Sequence, residues 1–433
     1  MLDRDLIALL GFVALFAMIF IRVPVGIAMG LVGIGGFAAV VGIEPALNLL
    51  STSPIRTVTD YNLSLIPMFI LMGVFATATG MSRELFRAGQ AWFGGMRGGM
   101  GMSTLAACGG FAAICGSSVA TAATMTKVAL PEMRRQGYAD RISTGIIASG
   151  GTLGILIPPS VVLVLYGFLT EQDIGKLFIA GVIPGLLSVL IMILTLHVLA
   201  WRNPDSMPAG ERTGWRERLD SIRGVWAVLL IFILIVGGIY MGVVTPVEAS
   251  ALGAFGTFVI GLARGRLTLK LTLECLLDAL RTSVTIFTIL IGAMLFSYFL
   301  AVTQTPQMLT QWLVGLPIGD FGILLLILLT FLILGCVLDP MAMIILLVPI
   351  VFPVIVSLGI DPIWFGILVV VAVEMGMITP PIGMNCFVIR SVAPDVGLGQ
   401  IYRGVLPFVA ADVVRLALLL VFPALVLFLP GRM

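Results

Sequence analysis

The stretch Gly150-Gly151-Thr152-Leu153-Gly154-Ile155-Leu156-Ile157-Pro158-Pro159-Ser160 and its counterpart Glu374-Met375-Gly376-Met377-Ile378-Thr379-Pro380-Pro381-Ile382-Gly383 each break a membrane-length apolar run with a Pro-Pro pair. A proline removes the donor that would bond the carbonyl four residues earlier. Pro158 and Pro159 therefore free the carbonyls of Gly154 and Ile155, while Pro380 and Pro381 free those of Gly376 and Met377. Lipid offers such carbonyls no partner. Irregular backbone at membrane depth is tolerated where protein or a watery cavity surrounds it. Matched breaks in two halves of one chain point to the ion and substrate site of a transporter.

The composition around the breaks agrees. Of 433 residues, 60% are hydrophobic and only 11% charged, against roughly a quarter charged in soluble globular chains. The chain reads as an all-α polytopic membrane protein in a lipid bilayer. A net charge of +2 gives no reason to expect nucleic acid. Cys108, Cys115, Cys275, Cys336 and Cys386 form no CxxC pair and fall in apolar runs, so they read as small core residues. No Ser-His-Asp constellation, Walker loop or HExxH is present, which leaves an enzyme or an ATP-driven pump without support. The amino terminus, with Asp3 and Asp5, lacks the basic region of a removable signal peptide.

Apolar segments lie near 6–21, 25–42, 63–80, 101–130, 142–168, 178–200, 225–243, 247–263, 283–301, 321–357, 363–389 and 405–429. Two of them, 101–130 and 321–357, are interrupted midway, by Gly116-Ser117-Ser118 and by Gly335 with Asp339-Pro340. Each reads as two half-length helices meeting at a tip, a re-entrant hairpin, because one crossing needs about 20 apolar residues. Alternate counting of loops puts 18 Lys and Arg on one side and 4 (Arg4, Arg56, Lys176, Arg432) on the other. The rich side is expected to be cytoplasmic, with both termini periplasmic. On that assignment the hairpins enter from opposite sides.

Gly116 precedes Pro158 by 42 residues and Gly335 precedes Pro380 by 45, so both halves run tip, hairpin return, short loop, broken helix. This is an inverted repeat of the transporter kind. The expected division is scaffold helices over 1–80, a first transport repeat over 81–170, scaffold over 171–300, a second transport repeat over 301–404 and a C-terminal helix over 405–433. The most polar stretch, 201–224, carries Asp205, Glu211, Arg212 and Arg216 among its charges and links the halves. It reads as a solvated linker or as a segment along lipid headgroups.

A hard cation such as sodium wants several oxygens, and freed carbonyls with Ser and Thr hydroxyls supply them without a buried carboxylate. At the first break the candidates are Gly154, Ile157 and Pro159, with Ser117 and Ser118 from the facing tip. At the second they are Gly335 and Asp339 from the tip, with Gly376, Thr379 and Ile382. The alternative use of these glycines is close helix approach, which explains the glycines well and the Pro-Pro pairs poorly. The helix starts after the breaks, near Ser160 and near Gly383 to Asn385, turn free N–H groups toward the cavity and suit an anionic substrate. Asp339 reads equally as a helix cap. Glu374 lies at membrane depth, and Asp412 and Arg415, three apart, can pair on one face.

Taken with Ile66-Pro67-Met68-Phe69-Ile70-Leu71-Met72-Gly73, Ala180-Gly181-Val182-Ile183-Pro184-Gly185, Gly238-Ile239-Tyr240, Thr245-Pro246-Val247-Glu248-Ala249 and Leu358-Gly359-Ile360-Asp361-Pro362, these motifs run in order along nearly the whole chain. The pattern resembles the large membrane (M, DctM-like) subunit of tripartite ATP-independent periplasmic (TRAP) transporters. The resemblance implies a sodium-driven importer of the bacterial inner membrane, working as an elevator, with sodium ions as coupling ions and no organic cofactor. It implies a periplasmic substrate-binding P subunit that delivers an organic anion such as a C4-dicarboxylate or a sugar acid. A small four-helix Q subunit enlarges the scaffold and is expected as a separate chain, since residues 1–5 alone precede the first span. One departure is Cys115, where many relatives carry a serine. The alternative is an autonomous sodium/anion symporter that needs no binding protein.

Overall fold

The computed structural model describes residues 4–203, 206–210 and 213–433. Asp3 and, in the linker, Asp205, Glu211 and Arg212 lie outside the described residues. Within the described residues the chain is helical, without strands. Among the described residues, seven helices are long and apolar enough to cross a membrane, or eight if Ile43–Thr59 and Asn62–Ala78, bent by 61° to each other, form one span.

One group of helices comprises Arg4–Phe20, Val25–Val41, Leu65–Ala78, Pro246–Ala263 and Leu269–Thr303, the last being 35 residues long. Helix Val25–Val41 packs along Leu269–Thr303, and Leu65–Ala78 packs against both Leu269–Thr303 and Pro246–Ala263. The second group holds two helix-turn-helix pairs, Gly99–Cys115 with Ser118–Arg135 and Gly319–Gly335 with Pro340–Ser357. It also holds two interrupted helices, Asp140–Leu156 with Val161–Thr170 and Pro362–Ile378 with Met384–Val392. Helices Ile174–Arg202 and Leu398–Val421 complete it and pack on the interrupted helices.

Three helices fall outside the apolar segments read from the sequence. Ile43–Thr59 mixes Glu44, Asn48, Arg56 and several hydroxyl residues with its apolar ones, so it carries no membrane-length run. Met81–Phe93 and Thr305–Val314, of 13 and 10 residues, each precede a helix-turn-helix pair and are too short to span. The span starting at Leu269 also begins well before residue 283, because its first turns carry Lys270, Glu274, Asp278 and Arg281.

Both helix-turn-helix tips are set by local chemistry. Gly116 takes a left-handed φ of 61° that ends Gly99–Cys115, and Ser117 caps the next helix by accepting from the Ala120 N–H. At the second tip Asp339 accepts from the N–H groups of Met341 and Ala342, and Pro340 opens the helix. Of the two roles open to Asp339 from the sequence, the cap is therefore filled.

Candidate functional site

Each tip lies against the interrupted helix of its own half, and a glycine makes the approach possible. A Cβ on Gly154 would stand 2.7 Å from the Ser117 carbonyl carbon and oxygen. One on Gly376 would stand 2.6 Å from the Gly335 carbonyl carbon and 3.0 Å from the Cys336 nitrogen. Both glycines sit four residues before the first proline of their break. The close packing at these glycines and the expected ion role of their carbonyls thus fall on the same residues.

At the first tip, backbone carbonyls lie close to glycines of neighbouring segments. A Cβ on Gly116 would be 2.8 Å from the Pro159 oxygen, and one on Gly73 of helix Leu65–Ala78 would be 3.0 Å from the Cys115 oxygen. Backbone oxygens of Cys115, Ser117 and Pro159 thus each lie against a glycine at or beside the tip, the Cys115 oxygen at Gly73, the Ser117 oxygen at Gly154 and the Pro159 oxygen at Gly116. The Ser117 carbonyl accepts from both the N–H of Thr121 at 3.0 Å and its hydroxyl at 2.8 Å. Ile157 lies at the break with its N–H bonded to Leu153, and its side chain meets Gly185 of helix Ile174–Arg202. Ser118 is buried, and its hydroxyl pairs with the Asn385 side chain.

The hydroxyl of Ser160 donates to the Ile155 carbonyl at 2.5 Å and accepts from the Leu163 N–H at 3.3 Å. It recaptures one of the two carbonyls freed by the prolines and caps the following half-helix. The Gly154 carbonyl remains the free one of that pair in the geometry expected from Pro158.

At the second break the backbone is more heavily used. The Gly376 carbonyl, freed by Pro380, accepts from the Thr379 N–H at 3.1 Å, a shorter turn in place of the missing bond. The Thr379 hydroxyl donates to Met375 at 2.6 Å, leaving its lone pairs. The Gly383 N–H bonds the Cys336 carbonyl of the tip at 3.2 Å, and Gly383 takes a φ of 61°. A Cβ there would stand 3.2 Å from the Thr379 oxygen and 3.4 Å from the Met377 oxygen, so these two carbonyls converge. The Tyr402 hydroxyl shares its one hydrogen between the Ile382 oxygen at 2.6 Å and the Pro381 oxygen at 2.9 Å, which leaves the Ile382 carbonyl a second lone pair. Tyr402 had no signal in sequence, because its partner lies across a loop. Asp339 lines a separate cavity with Gly26 and Arg281, and among the described residues no group of three or more His, Cys, Asp or Glu converges.

Asn385, expected near the substrate, is fully buried and joins the halves. Its side-chain amide donates to the Ser118 hydroxyl at 2.9 Å and to the Ala148 carbonyl at 3.1 Å. The start of the half-helix after the second break is thereby fixed to the first tip.

Two residues before Gly376, Glu374 enters a buried ionic cluster. Arg415 lies 2.9 Å from Glu374 and 3.2 Å from Asp412, and it donates to the Ser188 hydroxyl at 2.5 Å. All three charged side chains are buried. Asp412 and Arg415 pair as their spacing suggests, and the further partner, Glu374, was not evident from sequence. The cluster ties the interrupted helix Pro362–Ile378 to helices Leu398–Val421 and Ile174–Arg202.

On the arginine-rich side Arg134, at the foot of the first helix-turn-helix pair, bridges Asp140 at 2.7 Å and Asp395 at 2.5 Å. Its hydrogen bond holds the Asp395 carboxyl below the usual aspartate range.

A family model described as the DctM component of tripartite ATP-independent periplasmic transporters matches residues 12–425. The C4-dicarboxylate TRAP transporter large permease protein DctM of Pseudomonas aeruginosa is 39% identical over 401 residues, covering 90% of this chain and 93% of its own length. The sialic acid TRAP transporter large permease protein SiaM of Vibrio cholerae is 31% identical, covering 95% of this chain and 96% of its own. Among solved structures, the Alcanivorax borkumensis YdaH transporter is similar with a TM-score of 0.64 and 15% identity, covering 88% of this chain and 89% of that one, a likeness of fold.

Proposed function

Because this chain belongs to the DctM component family of TRAP transporters, a multi-pass membrane permease and not an enzyme, we propose that it performs sodium-coupled import of an organic anion. The observation that carries this reading is the doubled contact of Ser117 with Gly154 and of Gly335 with Gly376. A cleft between tip and broken helix in each half, one beside the carbonyls of Ser117 and Pro159 and the other beside those of Met377 and Thr379, is what a transporter that couples cations to an anion would use.

Sodium at the first cleft is held by carbonyls around Ser117, Gly154 and Pro159, and at the second by those of Met377 and Thr379 with the Thr379 hydroxyl. The half-helices that open at Val161 and Met384 direct their N–H ends to the same region, where a carboxylate is stabilised. Asn385 couples the clefts, so that filling one biases the other. The segments 81–170 and 301–404 move together against the remaining helices, an elevator motion in which the hairpins are re-entrant and of opposite entry.

The chain sits in the bacterial inner membrane with both termini periplasmic. A small Q subunit and a periplasmic P subunit are its partners, and a C4-dicarboxylate or a sialic acid is the class of cargo that the relatives' names indicate. Uptake into proteoliposomes tests this: it should need a sodium gradient, the Q subunit and a loaded P subunit. Uptake by this chain alone would instead establish an autonomous symporter.

A further inference from the structure

A cavity of about 600 Å³ lies between the end of helix Leu65–Ala78, the start of helix Met81–Phe93, Arg266 and the second helix of the first hairpin at Thr124, Lys127 and Val128. Four cations line it, Arg83, Arg87, Lys127 and Arg266, against one carboxylate, Glu84. That carboxylate is already committed, at 2.5 Å to Arg264 and 2.8 Å to Arg266. Arg266 also donates to the Thr79 carbonyl at 2.6 Å. Arg83, Arg87 and Lys127 are exposed and make no ion pair among the described residues. The wall of the cavity therefore carries surplus positive charge on both the hairpin and the facing helix.

A polar line leads there from the first tip. Ser118, Thr121, Thr124 and Lys127 recur at every third position of helix Ser118–Arg135 and form a polar ribbon that winds about half a turn round it, from buried Ser118 and Thr121 to Thr124 at the cavity and exposed Lys127. At 1.5 Å per residue the line runs roughly 14 Å from the tip to Lys127. Arginines that merely flank a membrane span face headgroups or water. These instead close on a cavity together with a lysine of the hairpin itself.

We propose that this cavity is the release vestibule for the transported carboxylate, on the arginine-rich side of the membrane, with Lys127, Arg83 and Arg87 drawing the anion to the wall at Thr124. The inference rests on the organic-anion reading above. Anionic lipid headgroups share the chemistry that these cations recognise, and the test below separates the two.

Thr124→Cys would be placed in the complex with its small subunit, in phosphatidylcholine nanodiscs; the native cysteines are all buried. Labelling by an anionic and by a cationic methanethiosulfonate is compared, each normalised to a free thiol. The anionic reagent should be favoured roughly ten-fold, as local potentials of several kT allow. The preference should fall toward parity when Arg83, Arg87 and Lys127 are all changed to Gln, and return in part with Lys127→Arg. Millimolar succinate should slow the anionic reagent. Absence of a preference, or a preference that survives the triple change, overturns the proposal. So does slowing that requires phosphatidylglycerol and not succinate, which would assign the cavity to lipid. If Thr124→Cys does not fold, Val128→Cys on the same wall serves. The labelling needs neither sodium nor the P subunit, so loss of sodium-driven uptake with labelling intact would sink the import reading alone.

Discussion

The side-chain amide of Asn385 donates to the hydroxyl of Ser118 at 2.9 Å across 267 positions of sequence, so the half-helix after the second break closes on the tip of the first hairpin. Both residues are buried, and Asn385 also holds the Ala148 carbonyl. The first tip, the helix Asp140–Leu156 and the half-helix after the second break are thus joined in one polar network.

Removing that amide leaves buried groups unpaired. Asn385→Ala is expected to cost about 1–3 kcal/mol and Ser118→Ala about 0.5–1.5 kcal/mol in reversible unfolding of the detergent-solubilised protein. A double-mutant cycle should show coupling between them. Additive losses would mean that the contact carries no energy.

The tip contacts depend on missing side chains. Gly154→Ala and Gly376→Ala place a methyl about 2.7 Å and 2.6 Å from backbone atoms of the facing tip, and each should destabilise by roughly 1–3 kcal/mol, with uptake lost. Gly35→Ala, where a Cβ meets nothing within 4 Å, is the control and should leave both unchanged.

The buried cluster has two carboxylates to one guanidinium, so its members should respond unequally. Arg415→Ala strands Glu374 and Asp412 and is expected to cost about 3–5 kcal/mol. Glu374→Gln, which reduces the unmatched charge and keeps the shape, should be far milder. Equal losses in thermal unfolding would contradict this description of the cluster.

The Arg134 bridge to Asp395 gives a pH dependence of definite sign. Asp395 has its carboxyl lowered from the ordinary value of 3.8, first by the hydrogen bond from Arg134. Its contribution is present above that value and is lost as pH falls through the lowered one. Asp395→Asn should therefore lower the unfolding temperature slightly at neutral pH, and the gap should close as pH falls below the ordinary aspartate value. An effect that grows on acidification would rule the bridge out as its source.

The membrane class, the family and the places where helices break were legible because they rest on local chemistry: apolar length, proline, glycine and basic loops. Asp339 as a cap and the Asp412–Arg415 pairing were legible for the same reason, being contacts within four residues. Asn385 with Ser118, Glu374 with Arg415 and Tyr402 with Ile382 were not, because each joins separate helices and nothing in either segment names the other. Helices Ile43–Thr59 and Met81–Phe93 escaped for a different reason. Their polar residues lower the hydropathy on which span recognition depends, while neighbouring helices supply the packing that makes them helical.

Sodium coupling is proposed to reside in the clefts between tips and broken helices, and a sodium titration of uptake tests this most directly. With the P and Q subunits present, proteoliposomes bearing Thr379→Ala should need several-fold more external sodium for half-maximal uptake, and Ser118→Ala somewhat more than the unaltered protein. Half-saturation by sodium that is the same in both variants and the unaltered chain would contradict the claim.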